Sequence, residues 1–145
     1  MSLTAKSKYS WIIILAGTND IAHNSHNRNR RAWDKAAEHI INLHITSHRY
    51  GAKSVAVTIP EMDCEESKRP PCLHTHLERK YINEKLRYNA RSNEFTILCD
   101  LAEKFPRYSL SSEERKQMWE VGLHMKSAGY ERMAEIIYKD LLAHV

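Results

Sequence analysis
The chain has 145 residues, of which 42% are hydrophobic and 28% charged, with only four Gly and four Pro. That is enough chain for one domain with a real core, and it excludes a low-complexity, fibrous or loop-dominated protein. The net charge of +4 is a weak pull toward anionic partners. Much of the excess sits at Arg28, Arg30 and Arg31, which read as a solvated surface, so no nucleic-acid partner is expected.

In chain order, residues 11–16 are a short apolar run rich in Ile and read as a strand buried on both faces. Residues 17–31 are polar, with Asn19, Asp20, Asn24, Asn27 and Asn29, and read as a loop. A helix follows over 33–49, its buried stripe made of Trp33, Ala36, Ala37, Ile40, Ile41, Leu43 and His44, with Gly51 as its closing residue. Residues 53–59 form a second, β-branched strand stopped by Pro60. A charged loop over 60–72 leads to a helix over 73–92. Its predicted stripe is Leu77, Tyr81 and Tyr88, with Ile82 and Leu86 beside it. Residues 95–99 are a third strand, ended by Asp100. Ser111 and Glu114 make a capping box for a short helix up to Trp119. The last helix spans 127–143, with Tyr130, Met133, Ala134, Ile137 and Leu141 on one face.

Alternating strands and helices of these lengths predict an α/β fold with a parallel three-strand core and flanking helices, as a single domain over 1–145. Ligands of such sheets bind beyond the carboxyl ends of the strands. The informative loops are therefore those after Ala16, Ile59 and Cys99.

Cys64, Cys72 and Cys99 are an odd set and read as reduced thiols, although Cys64 and Cys72 flank one loop and can pair if oxidised. Lys6 and Lys8 before the apolar run resemble a minimal signal peptide, but the run is short and no small-residue cleavage site follows. The expected location is cytoplasmic, and no segment approaches the roughly 20 apolar residues of a membrane span. Cys64, Cys72, His74 and His76 crowd one region without the spacing of a zinc site, and His44 and His48 lack an accompanying acid. No metal and no other cofactor is expected. Trp33 and Trp119 read as core residues.

Two motifs remain. The loop after the first strand opens Ala16-Gly17-Thr18-Asn19-Asp20, and near the C-terminus stands Trp119-Glu120-Val121-Gly122-Leu123-His124 followed by Met125-Lys126-Ser127-Ala128-Gly129-Tyr130. Together they resemble the third and fifth sequence blocks of the SGNH/GDSL hydrolases, an esterase and lipase family. The third block reads G-x-N-D at the end of a strand; the fifth reads D-G-x-H, with a G-Y just inside a helix. Essentially the whole chain can be laid on the latter part of that flavodoxin-like sheet. The resemblance implies that Asn19 is an oxyanion-hole donor and His124 the general base and acid of ester hydrolysis. Gly17 would let the chain turn tightly below the site, and Asp20 would cap or brace that turn.

The sequence departs from the family twice. The GDS block that supplies the nucleophilic serine is absent: sixteen residues precede Gly17, and no GDS occurs anywhere. Ser10 lies at the wrong end of the first strand and Ser25 in an unrelated loop. The acid three residues before the histidine is replaced by Val121, with Glu120 one position earlier as a weak substitute. The chain is therefore expected to be a truncated form, inactive by itself, that acts on a small ester only when a missing segment completes it. The alternative is a non-catalytic binding or interaction module descended from the family. A third reading, nucleic-acid binding through residues 23–31, rests on basic charge alone. Without its neighbour, the strand at 11–16 would be an unpaired apolar edge through which the chain self-associates.

Overall fold
A computed structural model describes residues 8–24, 29–63, 72–120, 122 and 124–145. Val121, Ser25, Arg28 and Cys64 lie outside the described residues. The elements are β1 (Trp11–Ile14), α1 (Thr18–Asn24), α2 (Arg30–Arg49), β2 (Lys53–Val57), α3 (Cys72–Arg91), β3 (Thr96–Cys99), α4 (Leu101–Lys104), α5 (Ser112–Met118) and α6 (Ser127–Leu142), with a 3-10 turn at Arg107–Ser109. The strands form one parallel sheet in the order β1-β2-β3. The fold is α/β, with a three-strand parallel sheet flanked by helices.

Side-chain alternation along β2 sorts the core into two layers. Val55 and Val57 face one side, where Ile97, Leu101, Phe105, Trp119 and the α6 residues Ile136 and Ile137 pack. The other side holds Ile21, Ala36, Ala37, Ile40, Ile82 and Leu86, from α1, α2 and α3. Cys99 is fully buried in the first layer, and burial together with its contact to Asp140 pushes its thiol up to about 12.

The structure corrects the sequence reading in several places. The first strand ends at Ile14 and is not buried on both faces, because Ile13 is 50% exposed on the edge that lacks a strand neighbour among the described residues. Residues 17–31 are not all loop, because Thr18–Asn24 is helical and α2 starts three residues early. Ile21, fully buried, holds α1 against the core, and the Asn29 side chain accepts from Arg31 N at 3.0 Å to cap α2. The predicted stripe of α3 is rotated: Leu77 and Tyr88 are exposed, while His74, Glu78, Ile82, Asn83 and Leu86 are buried. The inner face of α3 is chosen by polar groups that bond to the chain beneath it, which apolar spacing cannot detect. Leu43 on α2 and Tyr130 and Ala134 on α6 are exposed as well. The capping box at Ser111 and Glu114 is present, with both of its hydrogen bonds formed.

At the amino end of the sheet, Ser54 of β2 joins polar groups from α2 and β3. Its Oγ lies 2.8 Å from His44 Nδ1, 2.9 Å from His48 Nε2 and 3.2 Å from Thr96 Oγ1. Burial pushes His44 down to about 4, and the charge of His48 beside it acts in the same direction. The unfolded chain takes up that proton near pH 6.5, the folded chain only near 4. Stability from this network is therefore complete above about pH 6.5 and is lost as pH falls toward 4. Urea unfolding at pH 7 and pH 4.5 checks this. His44→Gln should flatten the acid loss, which amounts to about 1.4 kcal/mol for each pH unit crossed between those two limits. Equal losses in both proteins would show that His44 is not held neutral.

Candidate active site
Three loops meet at the carboxyl ends of the strands. After β1 the chain turns at Gly17, where φ is +105° and a Cβ would stand 2.8 Å from both Ile40 Cδ1 and Ile59 Cδ1. The backbone angle and the close approach both require glycine. The Gly17 carbonyl accepts from Ile21 N at 3.1 Å, so α1 begins at once and carries Thr18 and Asn19 in its first turn. Asp20 lies in the same turn, where a carboxylate suits the helix N-terminus. Its side chain makes no hydrogen bond among the described residues.

After β2, Thr58 and Ile59 continue fully buried. Asn83 of α3 accepts from Ile59 N at 2.8 Å and donates to Ile59 O at 2.9 Å. Pro60 then leads out of the sheet to Glu61 and Met62. The Glu61 carboxylate accepts from Tyr108 N at 3.0 Å, which fixes one of its oxygens.

The third loop is a short hairpin before α6. Trp119 and Met125 bridge antiparallel, Glu120 N donates to His124 O at 3.0 Å, and Lys126 N donates to Met118 O at 2.9 Å. Trp119 and Met125 point into the core, and His124, paired with Glu120 across the hairpin, is exposed.

Asn19 and His124 line one cleft of about 280 Å³. Thr18 and Glu61 are its other polar residues, and Leu15, Pro60, Met62, Met125, Tyr130 and Met133 give it an apolar wall. Among the described residues no serine lines it. Glu120 stands across the hairpin from His124, but it lines a neighbouring pocket of about 530 Å³ with Asp63, Arg107 and Lys126. No hydrogen bond or ion pair joins its carboxylate to His124 among the described residues. Its backbone explains why: Glu120 N is bonded to His124 O, and Glu120 O accepts from Arg107 at 3.3 Å, so the loop is not free to bend inward.

Glu61 was not legible as a cleft residue, nor were Asp63, Arg107 and Tyr108 behind the cleft. Each acts through a partner more than ten residues away, and nothing local in the sequence marks such a pairing. Pro60 was the one available signal, since it ends β2 and obliges the chain to leave the sheet there.

A family model described as GDSL-like lipase/acylhydrolase matches residues 2–137. No curated protein and no solved structure matches the chain.

The hairpin is seated against α6 at Gly129. A Cβ there would lie 2.2 Å from Met118 O and 2.9 Å from Met125 Cβ. Backbone cannot yield as a flexible side chain would. Gly129→Ala should destabilise the protein by about 1–3 kcal/mol or more. Thermal unfolding would measure it, and an unchanged midpoint would mean that the hairpin does not rest on α6 in this way.

Proposed function
The chain belongs to the GDSL-like lipase/acylhydrolase family, and from that premise we propose that its cleft is the ester-handling half of a serine hydrolase site. Asn19 donates its amide N–H to the tetrahedral oxyanion. His124 takes the proton from a nucleophile and returns it to the leaving alcohol. The observation that supports this reading most is that Asn19 and His124, 105 positions apart in the chain, line the same cleft. The apolar wall fits the hydrocarbon part of a small ester. No GDS occurs in the 145 residues, so these residues by themselves are proposed to be inactive.

The test has two arms. The purified 145-residue chain should hydrolyse short p-nitrophenyl esters no faster than background. Turnover that His124→Ala abolishes would overturn the inactivity and reveal another nucleophile. Val121→Asp alone should create no activity, because it supplies an orienting acid with nothing to activate. In the second arm, a GDS-bearing segment is fused ahead of the Val121→Asp chain. If hydrolysis appears, Asn19→Ala should lower it about 10²–10³-fold, as the loss of an oxyanion donor does. Hydrolysis indifferent to both Asn19→Ala and His124→Ala would sink the reading.

We also propose that β1 pairs with a second copy of the chain. Among the described residues β1 has a strand neighbour on one side only. Ile13 is 50% exposed on it, and the strand carries no charge or proline, the usual guards of an edge. Light scattering should show mass rising with concentration, and Ile13→Lys should suppress the rise. A monomer at all concentrations would contradict this.

A further inference from the structure
We propose that Asp63 and Arg107, both behind the cleft rather than in it, are positioning residues that clamp the His124 turn to the opposite wall. The starting observation is a buried cation. Arg107 is 3% exposed, and a guanidinium so placed needs its charge paired and its N–H groups met; its two terminal nitrogens are met, while its Nε has no hydrogen-bond partner among the described residues. It donates to Asp63 Oδ1 at 2.6 Å, to Gly122 O at 2.7 Å and to Glu120 O at 3.3 Å, and it lies 4.8 Å from the centre of the Trp119 ring. Asp63 completes the grip, since its other oxygen accepts from Gly122 N at 3.1 Å. Gly122 is thereby held at both its N–H and its C=O, two residues before His124.

The same 3-10 turn reaches the facing wall. Tyr108 N donates to Glu61, and the Tyr108 hydroxyl donates toward the carbonyls of Met62, at 2.8 Å, and Asp63. Glu61 and Met62 line one side of the cleft, and His124 and Met125 another. Arg107 and Tyr108 therefore tie two walls together from outside, and they set the distance between His124 and the loop after β2.

This bears on the replaced acid. A carboxylate three residues before the histidine would orient the imidazole directly, and Val121 cannot. The clamp acts one level lower, on the backbone of the turn, and it fixes where His124 is without supplying charge to its ring. That consequence rests on the proposed role of His124, but the clamp itself can be tested with no ester present.

The chain has four glycines, so 15N-glycine labelling gives four amide signals, and Gly122 is the one bonded to a carboxylate. In the unmodified protein its amide should be strongly protected from hydrogen exchange. Asp63→Asn should keep part of that protection, since the neutral side-chain oxygen still accepts from Gly122 N. Arg107→Gln and Asp63→Ala should speed hydrogen exchange at Gly122 at least tenfold and move the His124 ring signals, while Gly51, at the far end of the sheet, stays unchanged. Arg107→Lys should keep the Asp63 pair yet recover only part of the protection, because an ammonium lacks the planar fork that spans three acceptors. A Gly122 amide that exchanges as fast as an unprotected one in the unmodified protein overturns the clamp even if every variant unfolds. His124 signals unmoved in folded Asp63→Ala would also overturn it. Either failure leaves the ester-site reading standing. An intact clamp beside a completed chain indifferent to His124→Ala would remove that reading alone.

Discussion
The side-chain amide of Asn83 is the constraint on which the cleft depends. β2 is the central strand, and its ladder ends just before Ile59. There the backbone N–H and C=O are buried and have no strand left to pair with, a costly state unless something else satisfies them. Asn83 is 1% exposed and meets both groups with its own carbonyl and N–H. A hydrocarbon at 83 would leave the N–H unpaired and the carbonyl with only the Arg79 guanidinium, which donates to it at 3.3 Å, and a carboxylate would accept from the N–H alone. Because the strand ends in this fixed way, Pro60 departs in a fixed direction. Glu61 and Met62 then reach the cleft, and Asp63 reaches Gly122.

Polar side chains fix the chain at two further points, here through ion pairs. Arg87 of α3 grips Asp100 with two hydrogen bonds, at 2.7 and 2.9 Å, where β3 gives way to α4. Burial works against the charged carboxylate, but the Arg87 and Thr58 hydrogen bonds outweigh it and hold Asp100 below its usual range. Arg107 does for the hairpin what Arg87 does for β3. Such pairs contribute little net stability compared with apolar packing, yet breaking one leaves a stranded charge. Their effect is to make one arrangement of loops far better than its neighbours. At the carboxyl end of the sheet the apolar layers end, and polar bonds determine where the loops go.

This division explains what was legible in the sequence. Strand and helix positions follow from local periodicity, and Ser111 with Glu114 announced α5 through a rule confined to four residues. Gly17 and Asn19 were recognisable because their motif is contiguous. The face of α3 was misread because Leu77 and Tyr88 supply the regular apolar spacing while Glu78, Arg79 and Asn83 go inward. The burial of Arg79 and Asn83 is matched by what lies under the helix, namely the carbonyl and amide of Ile59. The helix α1 was missed because seven polar-rich residues are too short for propensity to matter, and one buried side chain, Ile21, secures them.

The histidines make the point at its sharpest, since the chain has nine and composition cannot rank them. His44 sits at the amino end of the sheet, fully buried and bonded to Ser54, and is held neutral down to about pH 4. A group that must stay neutral for the fold to persist cannot exchange protons without unfolding its surroundings, so its value is structural. His124 sits at the carboxyl end, exposed on the returning arm of the hairpin, and its ring makes no hydrogen bond among the described residues. What His124 lacks in ring contacts is made up in its backbone, fixed through Gly122, Glu120 and the bridge at Met125. The carboxyl end of the sheet thus holds an exposed imidazole on a fixed stretch of chain, and the amino end holds a buried one that the fold itself depends on.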